Sequence, residues 1–270
     1  MTSRPPGLPD YQNPPIDEVA IGVQFPPLDK FHDAHAGLYW QKVRQNYPKV
    51  ENQPRIEGPI ESEDSGPSQP MSIQIPIGVS QNRTWLISDN DEYLIQVQNT
   101  RFVQNWRRRG TTYPHFEDIW GFFYDHYQKF KELLDSEGLP SPLVQQVEVT
   151  YINWITGLSP SRFLRSGSVT GISAYERQVE PEDQAFNMRY RLDVHGEIIE
   201  RLYVQCQPAI RRQEPEIKGS QLALTYKAAK AGGLTDDEVQ SYAEAGRVIV
   251  VNAFTDLTTS EAHDIWGKLS

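Results

Sequence analysis

The sequence predicts an α+β fold: mainly antiparallel sheet, a long amphipathic helix at 115–136, and C-terminal helices, in an order that suits two packed lobes. Three observations lead there. Phe116, Ile119, Trp120, Phe123, Tyr127, Phe130 and Leu134 recur at steps of three and four, which places them on one helical stripe. Several runs alternate apolar and polar residues and are joined by short turns, the pattern of antiparallel neighbours. Thr235-x-x-Glu238 and Thr258-x-x-Glu261 read as capping boxes that open two helices near the end.

In chain order, residues 1–13 are rich in proline and read as an extended tail. Val19, Ile21, Val23 and Phe25 share one face of a strand, and Pro26-Pro27 ends it because proline cannot donate to a ladder. A helix over about 33–46 follows, with Leu38, Trp40 and Val43 as its apolar contacts and Pro48 beyond it. Residues 51–70 hold no apolar period and read as a flexible loop on which no function should rest. The runs 83–88 and 93–98, joined by Asp89-Asn90-Asp91, form a hairpin signal, with a strand restarting at 101–103. Gly138 and Pro140 end the long helix.

Beyond it come strands. Val147, Val149, Tyr151 and Ile155 alternate, and further strands are expected over 169–179, 185–195, 199–211 and 221–227, with a turn at His195-Gly196-Glu197. Residues 235–254 combine a β-branched run with a helical period through Val239, Tyr242, Gly246 and Ala253. The period and the cap decide for helix. The boundaries are then an N-terminal lobe over 14–138 and a C-terminal sheet lobe with terminal helices over 139–270. No internal sequence repeat is visible.

Composition narrows the function classes. The formal net charge of −10 argues against a domain that coats a phosphate backbone, and against an anionic membrane as partner. A single cysteine, Cys206, excludes an intramolecular disulfide and fits a reducing, cytoplasmic compartment. No run of about 18 apolar residues occurs, and the proline-rich start lacks the apolar stretch of a leader, so a soluble protein is expected.

The sharpest cluster is Arg101, Asn105, Trp106, Arg107, Arg108 and Arg109. Arginine forks grip phosphates and a tryptophan stacks on bases, so one reading is an anion or nucleic-acid contact. The preferred reading is structural: Arg101 and Asn105 tie the long helix to the sheet, Trp106 is core, and Arg107–Arg109 form a solvated turn. Gln96 and Gln98 belong to the same motif. Glu148, Thr150 and Asn153 lie on the next strand. Glu148 is expected to pair with an arginine such as Arg101 rather than to act as an acid or base. Arg189, Arg191 and Arg201 share the polar faces of two neighbouring strands and form a secondary cationic face. His32-x-x-His35 has no third ligand, and eleven residues of helix, roughly 16 Å, separate His115 from His126, so no metal site is expected. Cys206 reads as a small core residue. No phosphate loop, dinucleotide fingerprint, Cys-x-x-Cys or Gly-x-Ser-x-Gly occurs, and no cofactor is expected.

Asn13-Pro14-Pro15-Ile16 with Glu18, the string from Gln96 to Arg107, and Glu148–Asn153 together resemble a sporadically distributed bacterial family of uncharacterised proteins. Tyr113-Pro114 and the segment from Thr258 to Trp266 share the likeness, which covers about 13–267. The resemblance carries no activity. Its patchy occurrence suggests defence or mobile-element systems by association. The resulting expectation is a non-enzymatic bacterial binding protein with a protein partner. The alternative is an enzyme on a phosphate-bearing substrate, a nucleotide or nucleic acid, with Arg101, Arg107 and Arg108 as the anion clamp.

Overall fold

A computed structural model describes residues 5–65, 83–110, 112–165, 184–192, 197–212 and 214–269. The expected strand over 169–179, the turn at His195-Gly196 and loop residues 66–70 lie outside them. The strands are β1 Ile16–Gln24, β2 Lys49–Gln53, β3 Arg83–Ile87, β4 Tyr93–Gln98, β5 Arg101–Arg107, β6 Gln146–Ile155, β7 Phe186–Arg191, β8 Ile199–Arg211 and β9 Ile217–Ala229. They form one antiparallel nine-stranded sheet in the order β2-β3-β4-β5-β1-β6-β9-β8-β7. The helices are α1 Asp33–Val43, α2 Phe116–Ser136, the short α3 Pro160–Phe163, α4 Asp236–Leu257 and α5 Ser260–Trp266. None among the described residues is long and apolar enough to cross a membrane.

The two halves of the chain wind the same way. β1 starts at the centre, the chain leaves through α1 to the far edge, returns through β2-β3-β4-β5, and lays α2 over β5 and β1. β6 pairs with β1, the chain again leaves to the edge, returns through β7-β8-β9, and lays α4 over β6 and β9. The halves therefore share one continuous sheet through the β1–β6 pair, whose register runs from Ile16↔Asn153 to Gln24↔Gln146.

Strand alternation sorts this sheet into two unlike faces. Val19, Ile21 and Val23, Phe102 and Trp106, Val147 and Val149, and Leu222, Leu224 and Tyr226 all point to the helices and are at most 1% exposed. α2 turns Phe123, Tyr127 and Phe130 against Phe102, at ring separations of 5.2–6.2 Å. α4 comes close because residue 246 is glycine: a Cβ there would lie 2.4 Å from the Tyr226 ring. Cys206 joins this core, and burial pushes its thiol up to about 11. Ile210, on the same side of β8, lies past the helices and is exposed.

Several local expectations are corrected. α1 buries Ala36, Tyr39 and Val43, while Leu38 and Trp40 are only partly buried; the Tyr39 ring sits edge-on to Phe102 and Phe130 and fixes which side faces in. The tail is not free from residue 8 onward: Tyr11 inserts between Phe254, His263 and Trp266, and Gln12 N–H donates to the Gly267 carbonyl. The cap of α5 is Thr259, whose hydroxyl accepts from Ala262 N–H. Thr258 is fully buried and bonds the Phe254 carbonyl and His263 Nε2 instead, so burial chose between two adjacent threonines.

A buried amide lies under the helices. Gln104 is fully buried, and its Oε1 lies 2.9 Å from His126 Nδ1. Desolvation pushes the His126 imidazole down to about 4. A histidine depressed below its unfolded value of 6.5 adds stability above pH 6.5 and loses it as pH falls toward 4. The expected result is a His126 ring resonance that stays constant from pH 8 to 5 in a magnetic-resonance titration. A midpoint near 6.5 would mean the ring is solvated.

Candidate functional site

The face away from the helices carries the polar half of every strand, and two constellations occupy it. The first is a ladder of amides across four strands. Arg83 Nη1 and Trp85 Nε1 on β3 donate to Gln96 Oε1 at 2.9 and 3.1 Å. Gln96 Nε2 donates to Asn105 Oδ1 on β5 at 2.7 Å, and Asn105 Nδ2 to Glu18 Oε1 on β1 at 2.5 Å. Burial raises the Glu18 pKa, and the Asn105 amide works against it. The Arg83 guanidinium lies 5.2 Å from the half-exposed Trp85 ring, and on the other half of the sheet Arg211 lies 4.5 Å from the half-exposed Trp154 ring.

The second constellation involves the stretch expected to be a flexible loop over 51–70, whose residues 54–65 hold no helix or strand and whose residues 66–70 lie outside the described ones. Residues 49–53 form β2, and residues 54–65 run across the open face at right angles to the strands, fastened in strand order. Gln98 on β4 accepts from Ile56 N–H at 3.0 Å and donates to its carbonyl at 3.1 Å. Arg101 on β5 and Gln24 on β1 both donate to the Gly58 carbonyl, at 3.2 and 2.9 Å. Gln146 on β6 accepts from Glu61 N–H at 2.8 Å. Lys227 on β9 lies 3.8 Å from the Glu61 carboxylate, and Arg201 and Tyr203 on β8 donate to it. Arg201 also takes the Ser62 carbonyl at 2.7 Å; Arg189 and Arg191 on β7 take the Ser65 carbonyl and the Glu63 carboxylate. Residues 54–61 cross from β4 to β6 without helix, strand or turn, and 62–65 close a turn over β8 and β7 in which Ser65 N–H donates to the Ser62 carbonyl at 3.2 Å. The segment is a strap across the sheet. Its physical cause is charge: the acidic run Glu61, Glu63 and Asp64 meets the cationic face of β7 and β8.

Beneath the strap, Glu148 lies 2.9 Å from Arg101 Nη1 and 3.6 Å from Lys227 Nζ, and it accepts from Gln146 Nε2 at 2.6 Å. Its burial alone would raise its pKa, but Lys227, Arg101 and the amide override that and hold it at about 2. Gly58 has φ +146°, and a Cβ there would sit 3.3 Å from Arg101 Nη2, so the strap needs glycine where it crosses this pair.

These contacts place each expected site residue. Gln96 and Asn105 belong to the ladder. Gln98, Arg101, Glu148 and Arg201 belong to the strap seam, which Arg189 and Arg191 extend. Arg101 and Asn105 do not tie the long helix to the sheet: strand alternation points them the other way, and Phe102 makes the helix contact. Glu148 pairs with Arg101. Trp106 is fully buried on the helix side, with Nε1 donating to Glu92 at 2.9 Å. Asn153 is buried on that side too, donating to the Leu222 carbonyl at 3.1 Å. Thr150 on the open face pairs its hydroxyl with Thr225 at 2.9 Å. Arg107 continues β5 rather than starting a solvated turn, and its Nε donates to the Asp91 carbonyl at 3.0 Å. Arg108 is half-buried beside it, and Arg109 is exposed. Six residues of strand, roughly 20 Å, separate Arg101 from Arg107, so they do not grip one phosphate together.

Sequence reasoning missed Glu61, Gln24, Gln146, Lys227 and Gly58. The available signal was complementarity between the acidic run at 57–64 and the arginines of β7 and β8. On the helix side, a cavity of about 60 Å³ is lined by Tyr11, Tyr151, Arg247 and Phe254 among others. Its one cation, Arg247, is bound by Glu117 at 2.5 Å and lies 5.1 Å from the Phe116 ring. Comparison with protein-family models, with curated proteins and with solved structures finds nothing that matches this chain.

Proposed function

We propose that this chain is a non-enzymatic bacterial binding protein that engages another protein through the open face of its sheet. The observation that carries the reading is how the reactive groups of that face are used. Glu148, the strand carboxylate weighed above as an acid or base, is fixed as an ion between Arg101 and Lys227, far below the range a general acid or base needs at neutral pH. Arg201 is likewise matched to Glu61. What the face displays is the chemistry of protein contacts: half-exposed Trp85 and Trp154 under guanidinium groups, and amides such as Gln205 and Gln207. A nucleic acid is a poor fit for a chain of net charge −10 whose Arg101, Arg191 and Arg201 on this face already hold carboxylates.

The test is affinity capture from the native host with two variants. Gln205→Arg with Gln207→Arg alters the open face, and Tyr124→Arg alters the exposed side of α2. The expected result is a stoichiometric protein partner retained by the α2 variant and lost by the β8 variant. Equal retention, or equal loss, overturns the reading. So does stabilisation by a nucleotide that disappears in Arg107→Ala with Arg108→Ala, which would favour the anion clamp.

A further inference from the structure

β2 and β3 are adjacent in the sheet, with Gln53 paired to Arg83, so a few residues would close this hairpin. The chain instead uses residues 54–82, and by Ser65 it has reached Arg189 on β7, the opposite edge. Nothing in the connectivity demands that detour.

The way the face holds the strap is also specific. Six main-chain groups are read by side chains of the sheet: Ile56 N–H and carbonyl, the Gly58 carbonyl, Glu61 N–H, and the carbonyls of Ser62 and Ser65. Only one strap side chain is buried, the Glu61 carboxylate among Arg201, Tyr203 and Lys227. Ile56 and Ile60 are only half-buried, and the other residues of 56–64 are exposed. The strap therefore contributes little apolar burial, the term that dominates stable packing. A surface that reads main-chain groups from Ile56 to Ser65, with one deep carboxylate socket, has the features of a peptide-binding surface.

We propose that residues 54–65 are an internal stand-in for an acidic peptide of the protein partner, which docks on the seam by displacing them. This rests on the binding reading above and names its surface and ligand class. The required peptide carries a glutamate for the Arg201 socket and a glycine three residues earlier, because a side chain there would press on Arg101. Further carboxylates after the glutamate face Arg191. The seam is occupied in the free protein, which keeps its cations neutralised until a competing segment arrives.

The experiment uses the full chain with residues 55–64 replaced by a Gly-Ser segment of equal length. The probe is a fluorescent synthetic peptide of residues 54–65. The expected result is binding at least tenfold tighter to the replaced chain than to the native one. A peptide carrying Glu61→Gln should lose at least tenfold, and Arg201→Met in the protein should abolish the signal. A folded, cooperatively melting replacement chain that does not bind, or that binds no better than the native protein, overturns the proposal. If the replacement does not fold, amide exchange on the native protein decides. The Ile56 and Glu61 amides should exchange at least a hundredfold faster than those of β1 and β6, and exchange only with global unfolding overturns displacement. The capture result with the β8 glutamines is read separately: partner loss there with a silent seam leaves the binding reading standing and removes the strap from it.

Discussion

Arg101→Ala is expected to destabilise the protein by about 3 kcal/mol at pH 7, because it leaves a partly buried carboxylate without its nearest cation. Arg101 is 6% exposed, and Glu148 beneath it would keep only Lys227 at 3.6 Å and the Gln146 amide. The effect should depend on pH in a defined direction. In the native protein the Glu148 pKa is depressed from its ordinary 4.5 to about 2. Its contribution is therefore present above pH 4.5 and is lost as pH falls toward 2, on the order of 3 kcal/mol in all. Without Arg101 the folded pKa rises, so acid unfolding begins at higher pH. The penalty of the substitution shrinks at pH 3, where a free Glu148 would already be neutral. Glu148→Gln in the Arg101→Ala background should recover part of the loss at pH 7. Urea unfolding at pH 7 and pH 3 measures both. An equal loss at the two values would show that the carboxylate is not the cause.

Phe102→Ala, one residue along β5, is expected to lower stability by a similar amount for a different reason. The side chain is fully buried and lies within 5.2–6.2 Å, ring to ring, of Tyr39, Phe123, Tyr127 and Phe130. Removing it leaves a cavity between α1, α2 and the sheet, worth about 3–5 kcal/mol and on the order of 10 °C in melting temperature. No charge is involved, so the loss should be the same at pH 7 and pH 3. The neighbouring substitutions thus separate the two faces of one strand: the Arg101 penalty follows a proton and the Phe102 penalty does not. A Phe102→Ala loss that tracked pH would contradict the division of the sheet into an apolar and an ionic side.

Much of the layout was legible because it is written in local periods. Alternation marked the buried sides of β1 and β6, and the three-and-four spacing marked the face of α2. The reciprocal Thr235–Glu238 cap resolved α4 against its β-branched run. The pairing of Glu148 with Arg101 also followed from chemistry, since a lone strand carboxylate beside an arginine-rich strand needs a counter-charge. Where local signals competed, the reading failed. Thr258 and Thr259 offer equivalent hydroxyls, and only the burial of the first decides which caps α5.

The amino-acid order alone determined which side of β1, β6 and α2 is apolar, because burial periodicity of two or 3.6 residues is imposed within a few neighbours. Only the assembled sheet decided what the polar sides meet. β1 pairs with segments some 80 and 130 residues away, and Glu61 finds Arg201 across 140 residues of chain. No local pattern encodes such distances; they arise when the winding of both halves brings charged faces edge to edge and an acidic segment is drawn across them.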